Sequence, residues 1–310
     1  SELSMKRMIH WKDVIHARFS VSSARNWRNG NQVAITFASK QTHMTVREWI
    51  RKREIGGMPT LTFGEVRQAF PNASEQVVKN ELFRLSAQKI IVSVYRGFYV
   101  IMPPHYAGRG VIPPHYYIDR LMAHQNKPYY ISLLSAAALL GAAHQRPQKF
   151  FVTTVLPKPS VSPSKNNLLV WSYRKEIPSD FLLTKNSETG TIRYSNAELT
   201  AVDLIQYEQY IGGLSEAATI LAELSEGLDF RRVSGRLFDY TSQATLQRLG
   251  YVLEEVLLQT EVADALYEKL RAYAGRLRYV PLSTRSTEAM AAKNDRWKID
   301  INMTIEPDDV

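Results

Sequence analysis

The chain has 310 residues, 45% of them apolar and 22% charged, with no cysteine. That length accommodates two ordinary domains, and the missing thiols exclude disulfide scaffolds, cysteine nucleophiles, thiolate zinc sites and iron–sulfur clusters together. The formal charge of +9 is unevenly placed: residues 1–102 hold 16 basic and 7 acidic side chains, and residues 103–310 hold 23 of each. A basic first third joined to a neutral remainder points to a polyanion partner for the first part and another task for the second. The longest apolar stretches fall far short of the roughly 20 residues that cross a bilayer, and with no signal-like start the chain is expected to be cytoplasmic.

Residues 1–43 carry seven basic and two acidic residues without clean periodicity. Trp11, Val14, Ile15 and Phe19 fit a short helix that polar residues 20–32 break. A basic arm along DNA is one reading. An extension outside the fold, with Met44 as an alternative start, is the other, and no site is assigned here.

The pattern sharpens from Thr45. Thr45-Val-Arg-Glu48 has the form of a capping box, and the helix it opens should stop at Gly56-Gly57. A second short helix is predicted over residues 63–70, ended by Pro71, and a third from Asn72 or Ser74 to about Ala87. On the third, Val78, Leu82 and Leu85 form a stripe to bury, which leaves Gln76, Lys79, Asn80 and Phe83 on the opposite face. Those polar groups suit base edges and phosphates in a major groove, although a solvated face is the plainer explanation for any single helix.

The following residues favour the first explanation. Residues 90–94 are a strong β run, Tyr95-Arg96-Gly97 supplies a turn, and residues 98–101 return as a partner strand. Three helices and a hairpin in this order predict a winged helix-turn-helix over residues 44–102. Arg96 at the turn would reach phosphate or minor groove, and Lys79, Arg84 and Lys89 line the helix end nearest the backbone, with Arg84 alternatively a partner of Glu81. The expected DNA-binding residues are therefore Gln76, Lys79, Asn80, Arg84, Lys89 and Arg96.

Residues 103–116, rich in proline and glycine, read as a linker. His105 and His115 within it lack a carboxylate at ligand spacing, so no metal site is expected. In residues 117–310, helices are predicted at 117–124 and 132–143, and strands at 150–155, 168–173 and 191–194. Helical spacing then runs through 197–209, 214–224, 245–258 and 262–273. Residues 297–305 alternate in period two as a half-buried strand. The class is α+β, with a small sheet covered by helices.

No nucleophile elbow, phosphate loop, zinc-protease motif or dinucleotide fingerprint is present, and no catalytic residue or cofactor is expected. Asp203, Glu208, Asp229 and Asp239 read as solvated helix-face carboxylates, not a nuclease centre. His144 reads as a helix-terminal residue, and Arg231, Arg232 and Arg236 as a basic patch on a helix surface.

Several runs in order resemble the AbiEi-type antitoxins: Arg96-Gly-Phe-Tyr99, then residues 130–147 (YISLLSAAALLGAAHQRP) leading to Val152-Thr-Thr154. The likeness continues in Leu199-Thr-Ala-Val-Asp-Leu204, Gly212-Gly-Leu214, Gln247-Arg-Leu-Gly-Tyr251 and residues 296–302 (RWKIDIN). The resemblance runs from Met44 to the C-terminus. It implies a non-enzymatic, two-part protein of bacterial abortive-infection, type IV toxin–antitoxin systems. In it, an N-terminal winged helix binds inverted repeats of its own promoter as double-stranded DNA and represses transcription. A C-terminal domain over residues 117–310 counteracts a cognate nucleotidyltransferase-like toxin in phage defence, with or without direct contact. A winged helix fused to a nuclease-type or ligand-sensing domain is the alternative.

Overall fold

The computed structural model describes residues 44–108, 111–142, 147–159 and 168–308. The readings of residues 1–43 and of His144 lie outside them. The chain divides into two units, residues 1–43 and 44–310, and all the elements that follow belong to the second.

It opens with α1 (Val46–Ile55), where the Glu48 amide donates to Thr45 Oγ1 at 3.2 Å and the Thr45 amide donates to Glu48 Oε2 at 2.8 Å. The same device starts α2 (Phe63–Ala69) through Thr62 and Glu65, immediately after β1 (Thr60–Thr62). Two free amide groups at each helix start are thereby satisfied within four residues of sequence. Next come α3 (Glu75–Ala87), capped by Ser74, then β2 (Ile91–Tyr95) and β3 (Phe98–Ile101). The strands form an antiparallel sheet in the order β1-β3-β2, and Gly97 turns the hairpin at φ +73°, a backbone state that glycine adopts without steric cost. Val78, Leu82 and Leu85 bury on α3 against Ile50, Leu61, Val66, Ile91 and Ile101. Periodicity does not reveal β1, because three residues are too few to show a period.

The hairpin has a second role. Val94, Phe98, Val100 and Met102 belong to another core, shared with Ile118, Leu121 and Met122 of α5 (Ile118–His124) and one face of a five-stranded sheet. Between them, the described residues of this stretch, 103–108 and 111–116, are no open tether. They form α4 (Pro104–Ala107) and a 3-10 turn at Pro114–Tyr116, with Ile112 and Pro114 buried. Tyr106 Oη donates to Glu188 at 3.2 Å, Arg120 Nε to the Thr189 carbonyl at 3.3 Å, and the Thr189 hydroxyl to the Tyr116 carbonyl. Proline restricts backbone freedom whether the chain is tethering or packing, so composition alone could not separate the two cases.

The five-stranded sheet comprises β4 (Tyr129–Ile131), β5 (Phe150–Val155), β6 (Leu169–Arg174), β7 (Leu182–Ser187) and β8 (Gly190–Ser195), in the order β6-β5-β4-β8-β7. It is mixed: β5 runs parallel to β6 and β4 to β8, and the other pairs are antiparallel. Successive side chains point to opposite faces, so Tyr129, Ile131 and Val152 face the hairpin core while Tyr130 and Phe151 enter the larger helical core. That core gathers α6 (Leu133–Leu140), α7 (Ala197–Gln206), α8 (Leu214–Leu224), α9 (Gln243–Tyr251) and α10 (Thr260–Ala274). The helical run predicted over 245–258 changes at Val252–Val256 to a π turn.

The chain closes with a small sheet of β9 (Val280–Pro281), β10 (Ala292–Asn294) and β11 (Ile299–Ile301), in the order β10-β11-β9. Strand pairing covers only the middle of the period-two run 297–305, though Trp297 and Ile299 are fully buried as the alternation predicts. The mixed α+β class holds, with a sheet covered by helices on one face and by the hairpin and α5 on the other.

Candidate nucleic-acid interface

All six residues expected to meet DNA are exposed. On α3, Gln76 Nε2 donates to Asn80 Oδ1 at 2.8 Å, so the two amides form one polar surface a helical turn long. Lys79 pairs with Glu75 at 2.5 Å and sits 5.9 Å from the Phe63 ring centroid. Arg84 forms a two-pronged pair with Glu81 at 2.6 and 2.9 Å, the partnership the sequence left as an alternative. Hydrogen bonding to Lys79 holds the Glu75 carboxyl below its usual range, and Arg84 does the same for Glu81. These are exposed helix-surface pairs of small individual worth, which a phosphate can displace at little cost.

Arg96 stands apart from them. It projects from the hairpin turn and, among the described residues, makes no hydrogen bond or ion pair. Lys89, at the end of α3, is likewise exposed, with φ +55°. Val77 and Phe83 are also open to solvent on α3, at 58% and 78% exposure. A helix that commits Val78, Leu82 and Leu85 inward and still shows two large apolar groups has more apolar surface than its own fold uses. Val77, Asn80, Glu81 and Arg84 line a shallow groove together with Thr45, Val46 and Arg47 from the start of α1.

The charged residues of the remaining chain sort differently. Arg232 pairs with Asp229 at 3.1 Å, Arg231 with Glu261 at 3.7 Å, and Arg236 with Asp180, so the expected basic patch is tied to carboxylates of its own domain; it lies in the loop and 3-10 turn ahead of α9, not on an α-helix. Asp203 corrects the reading of solvated carboxylates. It is fully buried on α7, accepts a hydrogen bond from Tyr130 Oη at 2.8 Å and pairs with Arg174 of β6. Arg174 Nε also donates to Tyr130 Oη at 2.8 Å, and another of its nitrogens donates to the Tyr240 carbonyl. Burial pushes the Asp203 pKa up, with Arg174 and Tyr130 pulling against it. Burial works most strongly against the Arg174 cation, but Asp203, Tyr130 and Tyr207 together outweigh it and hold that pKa above its ordinary value. Apolar neighbours on every side of α7 are the sequence feature that marks this burial, since a helix that is apolar all round is buried and any acid within it must be paired.

Two of the runs that carry the family likeness meet in space. Trp297 lies on Gly250, its Nε1 donates to Glu254, and Gln247 Nε2 donates to the Trp297 carbonyl at 2.7 Å. Arg296 pairs with Glu254 and Asp264. The arginine-tryptophan pair near the C-terminus is therefore the lid of the α9–α10 core.

Residues 130–255 match the family model of the AbiEi antitoxin C-terminal domain. The match supports an AbiEi-type antitoxin and a role in a toxin–antitoxin system. Among solved structures it is similar to the crystal structure of the RV2827C protein from Mycobacterium tuberculosis, with a TM-score of 0.59 and 14% sequence identity over 81% of this chain and 89% of that one. At that identity the likeness speaks for the fold. No curated protein matches the chain. No helix among the described residues is long and apolar enough to cross a membrane, and no group of three or more histidine, aspartate or glutamate side chains among them is arranged to hold a metal.

Proposed function

We propose that this protein is a DNA-binding autorepressor and antitoxin, with residues 44–102 acting as a winged helix-turn-helix and residues 117–310 as the antitoxin domain. The observation that carries the DNA half is the unpartnered Arg96 at the hairpin turn beside the exposed polar face of α3. In this reading α3 enters the major groove with Gln76 and Asn80 at base edges. Lys79 and Arg84 exchange their carboxylates for phosphates, Lys89 approaches the backbone, and Arg96 reaches the flanking phosphate or minor groove. The target is the inverted repeats of its own promoter. The antitoxin half rests on the family match and the resemblance, and the partner is a cognate nucleotidyltransferase-like toxin in the cytoplasm.

The nuclease-type alternative loses its first candidate, because Asp203 is sealed in the core and already paired.

Full-length Lys79→Ala and Arg96→Ala variants test the proposal in two assays. Gel shifts on the upstream repeat should weaken, with the slope of log affinity against log salt falling by about 0.9 for each phosphate that is no longer neutralised. The same variants should still rescue growth when the toxin is expressed, since neither residue touches the C-terminal domain's core. Unchanged shifts would refute the DNA assignment, and lack of rescue by the unaltered protein would refute the antitoxin assignment. The full chain is needed because a cut at residue 103 would strip Phe98, Val100 and Met102 from the core they share with the five-stranded sheet.

A further inference from the structure

The zero net charge of residues 103–310 conceals a second basic pole. Residues 269–298 contain eight basic and two acidic side chains, a net of +6, while residues 103–268 contain 15 and 17. The fold divides those eight cations into two groups. Lys269 donates to the Val233 carbonyl, Arg285 donates to Gln209 and Arg296 pairs with Glu254 and Asp264, so these three serve the fold. Arg271, Arg276 and Arg278 are exposed and, among the described residues, have no side-chain partner. Lys293 and Lys298 hold their ammonium groups 4.6 and 4.9 Å from the ring centroid of the exposed Tyr279.

We propose that this surface is a second anion site, which takes the phosphate backbone of a single-stranded nucleic acid through Lys293 and Lys298, with the exposed Arg276 and Arg278 just ahead of Tyr279 in the chain extending it. The three-stranded closing sheet builds it. Parallel pairing of Ile299 with Val280 brings Lys298 next to Tyr279, and antiparallel pairing of Asp300 with Lys293 brings in the second lysine. The Tyr279 hydroxyl donates to Asp295, which fixes the ring, and Asp295 lies 3.4 Å from Lys298. Lys293 and Lys298 each form an ion pair, with Asp300 at 3.8 Å and Asp295 at 3.4 Å, and such exposed pairs are of small worth, so a phosphate can displace them. Two ammonium groups steadied over one ring have already surrendered part of their rotamer freedom, which lowers the cost of binding. The cations are spread over an open surface, which suits a chain of phosphates. Tyr273, 49% exposed near the end of α10, is an aromatic ring of the kind that unpaired bases stack on.

This proposal does not depend on the α3–Arg96 assignment, and its test keeps the two apart. Fluorescence anisotropy with the full-length protein would use a labelled single-stranded RNA of arbitrary sequence across a salt series. Variants would be Lys293→Gln/Lys298→Gln, Arg276→Gln/Arg278→Gln and, for the other face, Lys79→Ala/Arg96→Ala. The lysine pair should lose about tenfold in affinity, and the salt slope should fall by about 1.4, at roughly 0.7 for each phosphate of a single strand. The arginine pair, whose side chains support no fold contact, should also lower the slope, so a misfolded lysine variant does not protect the idea. Lys79→Ala/Arg96→Ala should retain single-strand binding. Equal slopes in wild type and both 276/278 and 293/298 variants would overturn the proposal. So would binding to phosphatidylserine vesicles that these variants abolish, with no binding to RNA, which would make the surface a lipid contact.

Discussion

Gly250→Ala destabilises the protein by about 3 kcal/mol or more, at or beyond the upper end of the usual cost of overpacking a core. A β-carbon at Gly250 would overlap Cζ3, Cη2 and Cε3 of Trp297. The indole has nowhere to retreat: Tyr267 packs edge-on against it at 5.2 Å, Nε1 is bonded to Glu254, and the Trp297 amide donates to Asn294 at 2.8 Å. Trp297→Ala should cost a comparable amount, about 3–5 kcal/mol, through the cavity it leaves. The diagnostic measurement is thermal melting of Gly250→Ala, of Trp297→Leu and of the double variant Gly250→Ala/Trp297→Leu. A shorter side chain at 297 makes room for the added methyl, so the double variant should melt above the sum of the single losses. Strict additivity would mean that the two residues do not oppose one another.

Asp203→Ala removes the carboxylate bonded to Arg174 and leaves a buried guanidinium without that counter-charge. Such a loss costs about 3–5 kcal/mol, because the remaining ion keeps its desolvation penalty and loses its compensation. For a unit of this size that corresponds to a fall in Tm of roughly 6–20 °C. Asp203→Leu/Arg174→Met should recover much of the loss, since an apolar pair of similar volume carries no charge to desolvate. If Asp203→Ala alone melts like the wild type, the pair is not a sealed contact. Tyr130 and Tyr207 surround the same centre, and burial pushes the Tyr207 hydroxyl up to about 12. Each polar group there is satisfied by another, and removing one member leaves its partners short.

The two halves of the unit differ in how far local sequence determined them. In residues 44–102 the helix starts, the hairpin turn and the inward stripe of α3 follow from Thr45, Thr62, Ser74, Gly97 and a 3.6-residue period. These are instructions read within four to seven residues, and the fold kept them. The exposure of Gln76, Lys79, Asn80, Arg84, Lys89 and Arg96 follows from the same periodicity. The ion pairs of Lys79 and Arg84 and the freedom of Arg96 do not, because rotamer choice depends on neighbours in space.

The C-terminal elements are legible where they are long and hidden where they are short. β4 and β7 escape the pattern for different reasons: three buried residues show no alternation, and Leu182–Ser187 is an edge strand with four of its six residues exposed. What the sequence by itself determined is the division of composition, the capped helices and the family resemblance carried by ordered short runs. The tertiary structure alone decided that the proline-rich stretch is packed, that Asp203 has a partner 29 residues away, and that Trp297 closes over a glycine 47 positions earlier. Charge and periodicity are sums over neighbours along the chain, whereas burial and pairing depend on which distant segments the core brings into contact.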